Sequence, residues 1–462
     1  MGGLMLREMI KNFLKIFSMI LIVIIYSFNS NALTIYEVIE KVVNNSPELR
    51  IIFERKNQVV EDFKENRSTY LPKIFLVYNR EYQKNDPITN SINNSWDAIN
   101  RFQLILEQRI FDMEQISKVM KSAQIVQSQE YQNQKLLESL IQLAIISYYD
   151  VVQSEYLVSI YREYFRQVKD IERLTTSMRQ QGDATLGDLN LVQSRLASAN
   201  SDLILMQANL EKARLKLAYL LNLIDQNKIV ETQAILPELS SKDFYDLGDK
   251  IINFIPLTPE ALLNQVLASN IDILILRSNL CAAGYDVEVQ KARYLPVLNL
   301  TTELRSEENR TNVDFQRYAK ITLEARYMIY DGGSRSAGVK KFSSALKELE
   351  YQYDILVRDT SDQSYSSLNQ LRSYEQQRVS ILKEIEASEE VDRVYAIQFQ
   401  FATRSLNDRL DNLERIAQAR RKLVQMDYSI LVSRIQILIT MGSFVNFFGF
   451  QNYLEVSNLK LC

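Results

Sequence analysis

No histidine occurs in the 462 residues, and that absence excludes every mechanism needing an imidazole base or an imidazole metal ligand. Cysteine is nearly absent: Cys281 and Cys462 are the only two, too few for a disulfide framework. Glycine (11) and proline (7) are far scarcer than in an average chain. A sequence so poor in turn formers has few turns and is expected to run in long helices. Neither sign of charge is in excess. Lys+Arg number 54 against 57 Asp+Glu, a formal net charge of −3, which leaves no electrostatic footprint for nucleic acid. Gly332-Gly333 lies outside any Gly-x-x-x-x-Gly-Lys-Ser/Thr pattern and reads as a strand-to-helix bend rather than a phosphate cradle. No carboxylate or serine cluster suggests catalysis. The composition therefore predicts neither an enzyme nor a cofactor or metal carrier.

Residues 1–32 have the pattern of a secretory signal peptide. Arg7, Lys11 and Lys15 supply a positive start, Ile16 to Tyr26 is apolar, and Ser30-Asn31-Ala32 offers small residues for cleavage. The alternative, an N-terminal membrane anchor, needs about 20 apolar residues, and this run is well short of that. Neither cysteine stands at the cleavage position, which argues against a lipidated mature N-terminus. Later apolar runs are short and broken by charge. The mature chain is expected to be exported.

The chain is written twice. Tyr70-Leu71-Pro72 recurs as Tyr294-Leu295-Pro296, Phe111-Asp112 as Tyr330-Asp331, and Thr185-x-x-Asp188 as Ser405-x-x-Asp408. Asp112 and Asp188 are 76 residues apart, Asp331 and Asp408 77. Two halves that keep this spacing share one architecture. The expected organisation is a signal peptide at 1–32, a first repeat at 33–224, a linker at 225–257, a second repeat at 258–442 and a tail at 443–462.

Each half begins with a helix, about 34–66 and 258–291, the second opened by Thr258-Pro259 as N-cap and first helical residue. Two strands follow. Phe102, Leu104 and Leu106 alternate with Gln103, Ile105, Glu107 and Arg109, opposite a more uniformly apolar segment, Ile74 to Arg80. In the second half Leu298, Leu300, Thr302 and Leu304 alternate with Asn299, Thr301 and Glu303. Ile321 to Ile329 alternates in the same way, with Glu324 and Arg326 on its polar side. Period-two alternation of this kind is a strand with one apolar and one polar face. Residues 84–97 and 305–315 read as exposed loops joining the strands. Residues 113–180 and 339–401 then contain no Gly or Pro, and a helix over 113–180 is roughly 100 Å long at 1.5 Å per residue. Leu137, Ile141, Ala144, Tyr148 and Val151 follow a 3/4 spacing, as do Leu346, Leu349, Tyr353 and Leu356, which implies a coiled-coil-like seam. Return helices follow at about 186–224 and 405–441.

Four strands of about ten residues suit an outer-membrane barrel, whose strands run roughly 9–11 residues. Four cannot close a barrel, and unpaired backbone groups are not tolerated in lipid, so several chains must contribute to one cylinder. The competing reading is a soluble antiparallel sheet with one wet face, as the head of an exported coiled-coil structural or adhesin-like protein.

At this point the chain resembles the TolC-like outer membrane factors, the exit ducts of efflux pumps and type I secretion systems. The resemblance rests on LTIYEVIEKVVNNSPELR (33–50), the two Tyr-Leu-Pro strand starts, YDGGSRSAG (330–338), QQGDATLGDLNLVQSRLASA (180–199) and ATRSLNDRLDNLERIAQAR (402–420). It implies a mainly α chain with a transmembrane β portion. Four strands per chain would join a 12-stranded trimeric β-barrel, and long helical hairpins would form an α-barrel. It also implies a homotrimer in outer membrane lipid, extending into the periplasm and working with a periplasmic adaptor and an inner-membrane transporter.

The hairpin turns near 178–187 and 398–406 are the expected gate. Thr185-x-x-Asp188 and Ser405-x-x-Asp408 fit capping boxes, which is the plain reading of both aspartates. The resemblance adds another: Arg404, Asp408 and Asp411 occupy the family's gate positions, with two rings of three carboxylates lining a narrow entrance that attracts cations. Arg404 would then tie the second hairpin to Asp188 or its neighbours. Phe399 stands where a tyrosine helps latch the gate, Gly187 where a polar residue accepts the Arg contact, and Ala402 where the turn has a glycine, so the latch is expected to be weaker or differently partnered. Glu107, Arg109, Glu303, Glu324 and Arg326 are the expected barrel lumen residues.

Overall fold

The computed structural model describes residues 33–83, 96–223, 243–256, 258–309, 314–400 and 405–450. The expected signal peptide, most of the expected linker, the Ala402–Arg404 segment and the tail beyond 450 lie outside them. The chain forms two compact units. One gathers the chain up to Leu49 with Leu137–Asn264 and Gln363–Phe444; the other gathers Arg50–Leu136, Gln265–Asp362 and the chain from Val445. Each unit takes stretches from both halves of the repeat.

The opening helix of each half is two helices, not one. α1 (Ile35–Asn45) starts in a capping box between Thr34 and Glu37 and buries Ile35, Val38, Ile39, Val42 and Val43, the i, i+3, i+4 stripe of a core-facing helix. It stops at Ser46, whose backbone is extended because Pro47 follows and excludes the helical region. α2 (Pro47–Ser68) then begins. In the second half α6 (Pro259–Ser269) gives way to α7 (Ile271–Ala292) at Asn270, which N-caps the second helix through Asp272 N and Ile273 N. The pair is bent by 41°. The periodicity carries through both breaks, so the pattern hid them. Thr258 does precede proline at the first helical position, as expected, and accepts from the Ala261 N–H.

Both Tyr-Leu-Pro sites are the same turn. Tyr70 N and Leu71 N donate to Arg67 O and Ser68 O, and Tyr294 N and Leu295 N donate to Lys291 O and Ala292 O. The turns feed β1 (Lys73–Gln83) and β3 (Val297–Asn309), which together with β2 (Asp97–Phe111) and β4 (Asp314–Arg326) form one antiparallel sheet in the order β1-β2-β3-β4. The strands are longer than expected at their loop ends: Arg305–Asn309 continues β3 and Asp314 already opens β4. At the other end β4 stops at Arg326, so Tyr327–Ile329 lies outside the sheet. Cross-strand register aligns Leu76, Leu104, Leu304 and Ala319 in one row, and Tyr78, Phe102, Ser306 and Arg317 in the next. Register shifts between Arg109 and Phe111.

The long helices are α3 (Met113–Gln181) and α8 (Ser334–Gln400), each followed by a return helix, α4 (Leu186–Leu220) or α9 (Leu406–Thr440). Two shorter helices complete the described chain, α5 (Asp243–Ile252) within the expected linker and α10 (Phe444–Phe448). All five seam residues expected on α3, from Leu137 to Val151, are buried. Their counterparts on α8, Leu346, Leu349, Tyr353 and Leu356, are half-buried. Among the described residues no single helix is long and apolar enough to cross a membrane.

Candidate channel surfaces

The sheet has two unlike faces. One carries Ile74, Leu76, Phe102, Leu104, Leu304, Ile321 and Leu323, all exposed, with Leu76 at 78% and Ile321 at 74%. Large apolar side chains left open on one contiguous face need lipid or another protein to cover them. The opposite face is mainly polar, with Phe75, Val77 and Ile105 among its charged and amide residues. All five lumen candidates belong to it: Glu107 opposite Lys73 and Thr301, Glu303 opposite Ile105 and Lys320, Glu324 and Arg109 opposite Asn299, and Arg326 opposite Val297. Arg326 pairs with Glu324 at 2.7 Å, and Arg109 turns to Asp112 at 2.7 Å, at the start of α3. The densest part of that face lies elsewhere. Arg101 reaches Glu81 on β1 and Glu307 on β3, Arg305 joins Glu307 and donates to the Tyr318 hydroxyl, and Gln103 donates to Glu303. The sequence pattern does not reveal this ladder, because 305–315 reads as a loop and the apolar run of β1 fades at Arg80, while the strands continue to Asn309 and Gln83.

The first hairpin turn is built by two adjoining motifs. Gly182 (φ +88°) closes α3 with its N–H on Arg179 O, and Asp183 N donates to Met178 O, the paired bonds of a Schellman end. Thr185 then opens α4 in a full capping box. Its hydroxyl accepts from Asp188 N at 3.1 Å, and the Asp188 carboxylate accepts from Thr185 N at 2.9 Å and from the Thr185 hydroxyl at 2.7 Å. Those bonds hold the Asp188 carboxyl below its ordinary range. Within the chain the carboxylate is thus engaged by its own cap, and Arg404, its expected partner, lies outside the described residues. Gly187 is exposed on the first turn of α4.

In the second hairpin Ser405 caps α9 by accepting from Asp408 N at 3.2 Å. Phe399 is buried, 6% exposed, with the Arg409 guanidinium 5.6 Å from its ring centre. Phe399 therefore packs within its own hairpin, where a guanidinium takes the face of the ring. Burial pushes the Arg409 guanidinium down and the Asp392 carboxyl up, while their mutual attraction works against both shifts. Asp411 accepts from Asn407 at 3.0 Å and from Arg195 of α4 at 2.5 Å, and the other arm of Arg195 reaches Glu414 at 2.7 Å. Arg195 went unnoticed in the sequence, although it lies two helical turns beyond Asp188 and so on the same face of α4.

The family model for outer membrane efflux proteins matches residues 38–223 and 262–443. The chain belongs to the outer membrane efflux protein family. TolC of Escherichia coli is 24% identical over 441 residues, covering 90% of this chain and 84% of that one. The alkaline protease secretion protein AprF of Pseudomonas aeruginosa is 24% identical over 331 residues, 67% of this chain and 65% of its own length. Among solved structures, the outer-membrane channel OprN superposes with a TM-score of 0.74 at 18% identity, covering 88% of this chain and 89% of that one. The Campylobacter jejuni CmeC outer membrane channel gives 0.74 at 17% identity, with 89% and 86% covered. These likenesses share the fold. Membership makes this an outer membrane protein of a transport family rather than an enzyme family, and the exported-scaffold alternative is set aside.

Proposed function

We propose that the protein is a passive exit duct for efflux or type I secretion, assembled as a homotrimer. Each chain would give four strands to a 12-stranded barrel, and the helical hairpins would form a tube through the periplasm. The observation that carries this reading is the sheet itself: an exposed apolar face, a charged opposite face, and edge strands β1 and β4 with no neighbour on their outer sides among the described residues. In lipid such edges must be paired, and β4 of one copy with β1 of the next is the antiparallel closure that repeats around a ring. Glu107, Arg109, Glu303, Glu324 and Arg326 would then face water in the lumen.

The duct carries no chemistry to drive transport, so a periplasmic adaptor and an inner-membrane transporter would supply it. Its gate would be the hairpin tips, with Asp408 and Asp411 at the entrance, Arg404 and Asp188 holding neighbouring tips together, and Phe399 packed behind them. The test is reconstitution. Protein extracted from outer membranes with detergent should run as a heat-modifiable trimer and conduct ions in planar bilayers, with higher conductance in Arg404→Ala. A monomer that stays soluble without detergent and opens no conductance would defeat the reading.

A further inference from the structure

We propose that Arg195 is a positioning residue of the gate, setting the place of Asp411 and the net charge of the cluster around it. The inference rests on the duct reading above and deepens it. Near the hairpin tips one side chain ties the two return helices, α4 and α9, together. Arg195 Nη2 lies 2.5 Å from Asp411 Oδ1, and Nη1 lies 2.7 Å from Glu414 Oε2. The planar guanidinium offers two parallel directions of donation, so it bridges two carboxylates one helical turn apart as a lysine cannot. Asn407 holds the remaining Asp411 oxygen at 3.0 Å. The buried Tyr164 of α3 feels the same charges: its phenol is raised to about 12 by burial and by Glu414, with Arg195 opposing. The guanidinium therefore joins the two return helices directly.

Two consequences follow for a ring of three copies. First, Asp411 cannot present a free carboxylate to a passing ion: Arg195 reduces the cluster of Arg195, Asp411 and Glu414 to one net negative charge per copy instead of two. Second, the side chain at the entrance is fixed to the first hairpin, so any movement of α9 away from α4 must break both ion pairs.

Bilayer recordings in KCl separate these effects from a simple brace. Arg195→Gln should raise the K⁺/Cl⁻ permeability ratio about threefold and lower the Mg²⁺ concentration for half-block by about tenfold, because a narrow pore magnifies each added charge. Asp411→Asn should shift the ratio the other way, and the double variant should return near the wild-type value. Arg195→Lys should keep the ratio while losing the two-armed bridge, seen as longer or more frequent openings. Permeability ratios unmoved in both Arg195→Gln and Asp411→Asn, in a channel that conducts as wild type, would overturn the assignment of Arg195 alone. A wild-type protein that never conducts would overturn the duct reading instead.

Discussion

Asn222 and Gly442 hold the same left-handed backbone at the same place in the two halves, with φ of +55° and +64°. Each closes a return helix. Asn222 N donates to Tyr219 O and Leu223 N to Ala218 O; Gly442 N donates to Ile439 O and Ser443 N to Leu438 O. One half has glycine at this position and the other has the one side chain that tolerates the conformation best after it.

The two halves should therefore respond oppositely at this site. Gly442→Ala forces a Cβ into a left-handed position and should cost about 1–2 kcal/mol, lowering the melting temperature followed by circular dichroism in detergent. Asn222→Gly should leave it unchanged or raise it slightly.

Asp188 predicts an acid-sensitive cap. Its carboxyl is lowered first by the Thr185 hydroxyl and then by the Thr185 N–H. The stabilisation is therefore present above the ordinary carboxylate value and lost as pH falls through the lowered folded value. Amide exchange at Thr185 and Asp188, taken relative to the unprotected rate at each pH, should be slow at neutral pH and approach the unprotected rate in acid. Thr185→Ala should make it fast at neutral pH, at a cost of about 1 kcal/mol.

Asp392 predicts the reverse. Burial raises its carboxyl, the pull of Arg409 notwithstanding, and its Oδ1 has no hydrogen-bond partner among the described residues. A carboxyl raised on folding favours the folded state below its unfolded value and penalises it as pH rises through the folded one. Asp392→Asn should accordingly raise the melting temperature at pH 7, with the gain vanishing near pH 4.

The two sheet faces give a fourth expectation. Leu323→Arg puts a charge on the apolar face, which costs about 2–4 kcal/mol at the bilayer midplane, and should sharply reduce trimer recovered from outer membranes. Glu324→Gln, one residue away on the polar face, should assemble normally and alter only conductance.

How far these features were legible in the sequence depends on how local they are. The Thr185 and Ser405 caps, the Thr258-Pro259 helix start and the α3 seam all follow from neighbours within one or two turns, and each stands where the residues put it. The breaks at Ser46 and Asn270 were hidden because the apolar spacing continues on both sides of each, although Pro47 marks the first by its ring alone. Arg101 and Arg305 acquire their partners only through cross-strand register, and Arg195 only through the meeting of two helices more than 200 residues apart in sequence. Spacing along the chain carries no record of such pairings.

The open edges β1 and β4 also bear on heredity. If every closed ring takes its strands from three copies, one faulty copy spoils the staves contributed by two sound ones. A cell expressing equal amounts of normal and misfolding-edge protein would keep only about one ring in eight wholly intact. Alleles that damage these two strands should accordingly behave as dominant poisons, while alleles that merely abolish synthesis should be silent beside a working copy.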